Sequence, residues 1–166
     1  MKVIIVGASH GGHEAAFELL DRYSDIDVTV YEQSDFISFM SCGMQLFLEE
    51  QTTKRDDVRN FTPMDLEMRG GKVQMNSKVT KIDPSVHQIT VKNLITEAIS
   101  TDSYDRLILS TGVTPALIPI KGVDLKNIYL MRGRDWAIKL NEKLHDKTVK
   151  NVVIVGAGYI GIEASE

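Results

Sequence analysis

The sequence lacks the features that are typical of disulfide-bonded, membrane-spanning and nucleic-acid-binding proteins. It contains one cysteine in 166 residues, which excludes an internal disulfide and favours a reducing compartment. No apolar run approaches the ~20 residues that a membrane helix needs, and the N-terminus shows no signal-peptide pattern. Positive charge is not in excess, since the net charge is −4, so nothing favours nucleic acid or an anionic membrane. We therefore expect a soluble, cytoplasmic protein with no nucleic-acid or membrane partner.

A short apolar and glycine-rich segment occurs twice. Val3 to Ala16 reads VIIVGASHGGHEAA, and Val152 to Ser165 reads VVIVGAGYIGIEAS. Each copy predicts a strand, a glycine-spaced turn and the start of a helix, the unit that holds a dinucleotide pyrophosphate. Two copies in one chain suggest two dinucleotides and electron transfer between them.

The first copy carries a modified fingerprint. Gly7 permits the tight turn, and Gly12 lets the helix pack closely on the strand. Ser9 replaces the middle glycine of G-x-G-x-x-G, while Gly11 adds backbone freedom. Glu32 stands at the predicted end of the next strand, where a carboxylate accepts hydrogen bonds from an unphosphorylated ribose. The pattern predicts NAD or FAD here, and the alternative is a turn that is merely tight.

The second copy has the full pattern in Gly156, Gly158 and Gly161, but its acidic partner would lie beyond residue 166. We therefore expect the chain to be part of a longer protein.

Predicted strands alternate with predicted helices, which indicates an α/β doubly wound sheet with a Rossmann-like central parallel sheet. Buried strands are expected at 3–6 and 106–110, and an alternating strand at 27–31. Further strands are expected at 73–75 and 79–82, with a polar hairpin from 88–92 with 102–104. Helices are expected at 11–23, near residue 42, over 54–68 and at 136–144. In the helix over 54–68, Pro63 either interrupts the helix or opens its second half. The apolar face of the helix at 11–23 is predicted to comprise Ala15, Ala16, Leu19 and Leu20. The predicted domains are 1–115 for one dinucleotide, a linker and helix at 116–150, and the beginning of a second dinucleotide domain at 151–166.

Two side chains are candidates for catalysis. Cys42 is predicted at a helix start, where unpaired N–H groups and the helix dipole favour a thiolate, although a single cysteine is more often a buried apolar residue. A thiolate beside a flavin can attack a peroxide O–O bond and become a sulfenic acid. His10, in the predicted phosphate loop, is either its acid–base partner or a solvated histidine. The other histidines, His13, His87 and His145, are expected at the surface, and no spacing suggests a metal site.

Three segments together are more specific than either glycine pattern: the loop Ala8-Ser9-His10-Gly11-Gly12, DFISFMSCGMQLFLE around Cys42, and IYLMRGRDWAIKL around Arg132. With the second glycine segment, they resemble the single-cysteine branch of the flavoprotein disulfide reductases, which includes NADH peroxidase and water-forming NADH oxidase. The likeness runs from Met1 to Glu166.

The resemblance implies an FAD domain followed by an NADH domain. FAD would contact Gly7, Ala8, Ser9, His10, Gly11 and Gly12 through its pyrophosphate, Glu32 through its ribose, the backbone near Val79 through its adenine, and Ser110, Thr111, Gly112 and Val113 through a second loop. Ser41, Cys42 and Arg132 would line the flavin region. NADH would bind over Gly156, Gly158 and Gly161, with Ile160 near the nicotinamide.

The leading prediction is the N-terminal part of an FAD-dependent NADH peroxidase that reduces hydrogen peroxide to water at Cys42, with His10 assisting. The alternatives are a water-forming NADH oxidase that takes oxygen, and a non-catalytic FAD-binding fragment or redox sensor. Met44-Gln45-Leu46 after the cysteine favours the peroxidase. The full-length protein is expected to be a homo-oligomer, and these 166 residues alone are expected to be inactive.

Overall fold

A computed structural model describes residues 1–52 and 58–165. The strands are β1 (Lys2–Val6), β2 (Asp27–Tyr31), β3 (Lys72–Gln74), β4 (Ser77–Asp83), β5 (Gln88–Asn93), β6 (Ile99–Ser103) and β7 (Arg106–Leu109). The helices are α1 (His10–Arg22), α2 (Met44–Leu48), α3 (Pro63–Glu67), α4 (Arg134–Leu144) and α5 (Tyr159–Glu163), and a 3₁₀ turn spans Ser41–Gly43. None of the helices in this part of the chain has the length and apolarity that crossing a bilayer demands.

The chain divides into two compact units. The first comprises Met1–Phe39 and Arg59–Gly112, and the second comprises the described residues of Met40–Val58 and Val113–Glu166.

A four-stranded parallel sheet in the order β3-β2-β1-β7 organises the first unit. The central strands β1 and β2 are β-branched runs that suit a sheet covered on both faces. Val3, Ile5 and Val30 pack with Phe17 of α1 in the core on one face. This confirms the predicted α/β fold with a central parallel sheet.

An antiparallel sheet, β4-β5-β6, covers the other face of β1. Ile4 packs there against Ile89 and Val91. The two sheets are also joined by Asp102, whose carboxylate accepts a hydrogen bond from the Tyr31 hydroxyl at 2.8 Å and pairs with the Lys2 ammonium.

That polar junction shifts two pKa values. Burial, followed by the hydrogen bond to Asp102, raises the pKa of Tyr31, so Tyr31 stays protonated as the donor. Burial opposes ionisation of Asp102, but the hydrogen bonds from Lys2 and Tyr31 outweigh it and lower the pKa of Asp102. The junction is therefore an ionised carboxylate held by two donors.

Most elements predicted before residue 113 are confirmed, with three corrections. Strand β7 is not buried: it lies at the edge of the parallel sheet, and Leu109 is 58% exposed. The helix expected over 54–68 begins only at Pro63, which confirms that Pro63 opens a helix, whereas 58–62 are not helical and 53–57 lie outside the described residues. The buried face of α1 includes His13 and Phe17, which the predicted apolar face omitted.

The second unit contains α2, α4 and α5. The predicted helices near residue 42 and at 136–144 are confirmed as α2 and α4. The apolar run Val152–Val155 is not a strand, because no described residue pairs with it, and its side chains are between 40% and 84% exposed. The strand expected in the second glycine segment is therefore wrong for these 166 residues.

Candidate dinucleotide-binding site

Three chain segments meet at the carboxyl edge of the parallel sheet. The Gly7 N–H donates to the Tyr31 carbonyl at 2.8 Å, and the Ser110 N–H donates to the Val6 carbonyl at 2.8 Å. These bonds bring together the loop after β1, the end of β2 and the loop after β7. Ligands of open α/β sheets bind outside this edge, so the fold places the predicted loop where a dinucleotide would bind.

Two glycines in the loop after β1 have no room for a side chain. Gly7 has φ +96°, and a Cβ on it would lie 2.2 Å from the Ser110 carbonyl oxygen. A Cβ on Gly12 would lie 1.8 Å from the Gly7 carbonyl oxygen. The turn and the helix–strand contact therefore both require glycine, as the fingerprint predicts.

The first turn of α1 presents backbone donors. Ser9 is the N-cap in extended conformation, and its carbonyl accepts hydrogen bonds from the Gly12 and His13 N–H groups. The N–H groups of the first turn precede any intrahelical acceptor, and His10 and Gly11 are exposed. Such a helix start can bind a pyrophosphate through its amides and dipole.

Glu32 directly follows β2 and its carboxylate lies against the loop. One oxygen accepts the Ala8 N–H at 2.8 Å, and the other accepts the Ser34 N–H at 2.9 Å and lies 3.0 Å from the Ser34 hydroxyl. A carboxylate has acceptor capacity beyond these bonds. The structure thus places Glu32 where the sequence predicts a ribose-binding acid, and adds Ser34 and the Ala8 amide as its supports.

Ser38 is a supporting residue that the sequence analysis missed. It is fully buried and has φ 56°. Its N–H donates to the Ala8 carbonyl at 2.7 Å, and its hydroxyl accepts the Phe61 N–H at 3.2 Å. The only sequence signal is a small polar residue between Ile37 and Phe39, which is too weak to identify such a role.

His13 is not at the surface, contrary to expectation. It is 0% exposed, because it shares the buried face of α1 with Phe17 and its ring packs against Phe61. Burial lowers the pKa of His13, and the nearby Glu14 only partly opposes this shift. His87 and His145 are exposed, as expected.

The second glycine segment repeats the local geometry of the first. Gly156 has φ +112°, a Cβ on Gly161 would lie 1.9 Å from the Gly156 carbonyl oxygen, and Gly158 is an extended N-cap for α5. A Cβ on Gly156, unlike one on Gly7, would meet no atom of the described residues within 4 Å. The turn is therefore encoded locally, without the sheet that surrounds the first copy.

Cys42 is exposed and lies in the 3₁₀ turn that leads directly into α2. The turn is anchored by buried Gly43, whose N–H donates to the Met40 carbonyl at 2.9 Å. Met40 in turn donates its N–H to the Val58 carbonyl at 2.9 Å. The expected position at a helix start is confirmed, and the side chain is not a buried apolar residue.

Comparison with known proteins identifies the family. The family model for pyridine nucleotide-disulphide oxidoreductases matches residues 1–166. The chain belongs to the pyridine nucleotide-disulphide oxidoreductase family.

Individual members of this family refine the comparison. An NADH oxidase of Enterococcus faecalis is 40% identical over 166 residues, which are 100% of this chain and 37% of that protein. An NADH oxidase of Streptococcus pyogenes is 34% identical and covers 99% of this chain and 38% of its own length. The NADH-bound water-forming NADH oxidase from Lactobacillus brevis superposes with a TM-score of 0.92 at 37% identity, over 100% of this chain and 36% of that one. The chain therefore spans less than two-fifths of the length of these relatives.

Within the family, the structure gathers part of the predicted site. The first unit brings together the six residues from Gly7 to Gly12, Glu32, and Ser110 to Gly112. Val79 lies in β4, whose first residue, Ser77, donates its N–H to the Glu32 carbonyl at 2.8 Å. The second unit contains the other predicted site residues: Ser41, Cys42, Val113, Arg132, Gly156, Gly158, Ile160 and Gly161. The binding and catalytic roles of the residues in both units stay predictions, as do the domain boundaries at 115 and 150.

Proposed function

We propose that the full-length protein is an FAD-dependent NADH oxidase that reduces oxygen to water. Cys42 reduces the hydrogen peroxide that forms as an intermediate. The observation that carries this proposal is the geometry of the loop after β1. Gly7 and Gly12 have no room there for a side chain, and the Glu32 carboxylate accepts the Ala8 N–H at the carboxyl edge of the sheet. The similarity to NADH oxidases over the whole chain supports the same assignment.

The residues of the first unit fit the adenosine half of FAD. The amides of Ser9, His10 and Gly11 would bind the pyrophosphate, because they start a helix and face no intrahelical acceptor. Glu32 would accept hydrogen bonds from the ribose, and its negative charge disfavours a 2′-phosphate there. Held by these residues, FAD would supply the two-electron chemistry that links oxidation of NADH to the return of an oxidised Cys42 to the thiolate.

The peroxide step uses this chain's own side chains. The Cys42 thiolate attacks one oxygen of hydrogen peroxide: an S–O bond forms, the O–O bond breaks, and hydroxide leaves with the bonding pair. A general acid, for which the sequence nominates His10, would protonate that hydroxide to water. Two electrons and a proton then convert the Cys42 sulfenic acid into thiolate and a second water.

NADH peroxidase is the second candidate, favoured by the Met44-Gln45-Leu46 segment that follows the cysteine. Both functions share the chemistry at Cys42. They differ in whether oxygen itself oxidises NADH.

The test measures NADH consumption by the full-length protein under air, and under nitrogen with added hydrogen peroxide. An oxidase consumes NADH under air without accumulating peroxide, whereas a peroxidase consumes NADH only when peroxide is added. In an oxidase, Cys42→Ser should keep NADH consumption but release hydrogen peroxide, because the peroxide stage is no longer reduced. Glu49→Gln, at the exposed C-terminal end of α2, is the matched control and should behave like the parent.

If Cys42→Ser still formed only water from oxygen, Cys42 would not be the peroxide-reducing group. If the parent protein carried no flavin absorbance and consumed no NADH under either condition, the enzyme assignment itself would fail.

A further inference from the structure

His13 is a buried histidine for which the proposed mechanism has no use. Neither ring nitrogen has a hydrogen-bond partner among residues 1–52 and 58–165, and both atoms are inaccessible to solvent. Glu14 Oε1 lies 3.3 Å from His13 Nε2, but not in hydrogen-bonding geometry. Buried polar atoms are normally satisfied, so a histidine at this position requires an explanation.

Aromatic rings surround His13. Its ring centroid lies 5.1 Å from that of Phe61 and 6.2 Å from that of Phe17, both in edge-on arrangements. The exposed ring of His10, one helical turn earlier, lies 5.7 Å away and is tilted by 46°. The charged groups nearby are Glu14 beside His13 and the Arg69 guanidinium, 4.5 Å above the Phe17 ring.

This arrangement makes His13 the buried surface against which the His10 ring rests. Residues three apart on a helix lie on the same side of it, so the helix itself places the His10 and His13 rings next to each other. His13 is itself immobilised, because Phe17 and Phe61 pack on it and Phe17 packs on Phe61 at 4.4 Å. An immobile ring under an exposed one restricts the orientations that the exposed ring can adopt.

We propose that His13 is a positioning residue for His10, whose ring it holds over the start of α1 at the glycine loop. The inference rests on the proposed function insofar as His10 acts on the peroxide. Burial lowers the pKa of His13, which favours the uncharged form of the ring that lies beside His10.

A double-mutant cycle in the full-length protein tests this. His13→Ala should slow oxidation of Cys42 by hydrogen peroxide about fivefold, but less than about twofold when His10 is already Gln, because the two residues act as one unit. His13→Phe, which restores a buried ring, should recover most of the rate. Leu20→Ala is the matched control: it removes a partly buried α1 side chain from the same core without touching either histidine.

A second readout does not depend on activity. Histidine ring NMR should show that His13→Ala shifts the His10 ring resonance or changes its line width, whereas Leu20→Ala leaves the resonance unchanged. Equal slowing by His13→Ala in both His10 backgrounds would overturn the proposal, as would an unchanged His10 resonance. If the parent protein did not react with peroxide, the proposed function would fail while the NMR comparison would still decide the role of His13.

Discussion

Replacing Gly12 by alanine tests the close contact between helix and strand that forms the first glycine loop. The added Cβ would lie 1.8 Å from the Gly7 carbonyl oxygen and 2.9 Å from its carbon. Both obstructing atoms are backbone, so no side-chain rotation relieves the contact. Reaching even 3.0 Å from the oxygen requires α1 and the turn to separate by about 1.2 Å.

A shift of this size disturbs the core that α1 shares with β1 and β2, and we expect it to cost about 3 kcal/mol, the upper part of the range for overpacking. Gly11→Ala is the matched control in the same helical turn. Its Cβ would meet the Ser110 side chain, with the hydroxyl oxygen at 2.9 Å, and that hydroxyl can rotate away. Because alanine also favours helix over glycine by up to about 1 kcal/mol, Gly11→Ala should be neutral or slightly stabilising.

Urea unfolding followed by far-UV circular dichroism measures the difference. With a slope of about 2 kcal/mol/M, Gly12→Ala should lower the unfolding midpoint by about 1.5 M. A Gly12→Ala midpoint within about 0.3 M of the parent would refute the close-contact argument. An equal loss in Gly11→Ala would show that the first turn tolerates no side chain for some other reason.

Three further predictions concern groups whose partners the structure defines. Glu32→Gln should destabilise the first unit by about 1–2 kcal/mol, because its charge-assisted hydrogen bond with the Ala8 N–H weakens. The full-length variant should also lose flavin absorbance on dialysis. If the variant kept all of its flavin, Glu32 would not be part of the binding site. The folded-state pKa of His13 lies below the unfolded value of 6.5, so stability should fall as pH drops through 6.5 and level off below the folded pKa. His13→Phe should lose this part of the pH dependence between about pH 7.5 and about pH 5 in urea titrations, and an unchanged dependence would contradict the burial argument. Tyr31→Phe should cost about 1 kcal/mol through the lost bond to Asp102, and should cost less in an Asp102→Asn background; a purely additive pair would show that the bond contributes nothing.

Short-range patterns were sufficient to predict most of the first unit. Strand β2 matches its predicted bounds because a β-branched run between turn residues is an unambiguous signal. Pro63 opens α3 because its fixed φ suits the first helical position, and the Asp65 carboxylate accepts the Thr62 N–H at 2.7 Å. The glycine loop was also predictable from a short-range pattern, because the spacing of its glycines specifies the turn.

Burial was less predictable, because it depends on neighbours distant in sequence. His13 is polar and was expected in solvent, but Phe61, 48 positions later, covers it. Leu109 belongs to an apolar run and was expected in the core, but β7 has β1 on one side and no described strand on the other. The polarity of a side chain indicates whether burial is favourable, but the tertiary structure determines whether that side chain is buried.

The two glycine segments separate what sequence determines from what tertiary structure determines. Gly7 and Gly156 both adopt positive φ, and Gly12 and Gly161 both lie against the carbonyl oxygen of the earlier glycine. This turn follows from local sterics, so it forms in both copies. Among residues 1–52 and 58–165, only the first copy is part of a sheet and has an acid, Glu32, bonded to its loop. Parallel pairing requires partner strands that local sequence cannot supply.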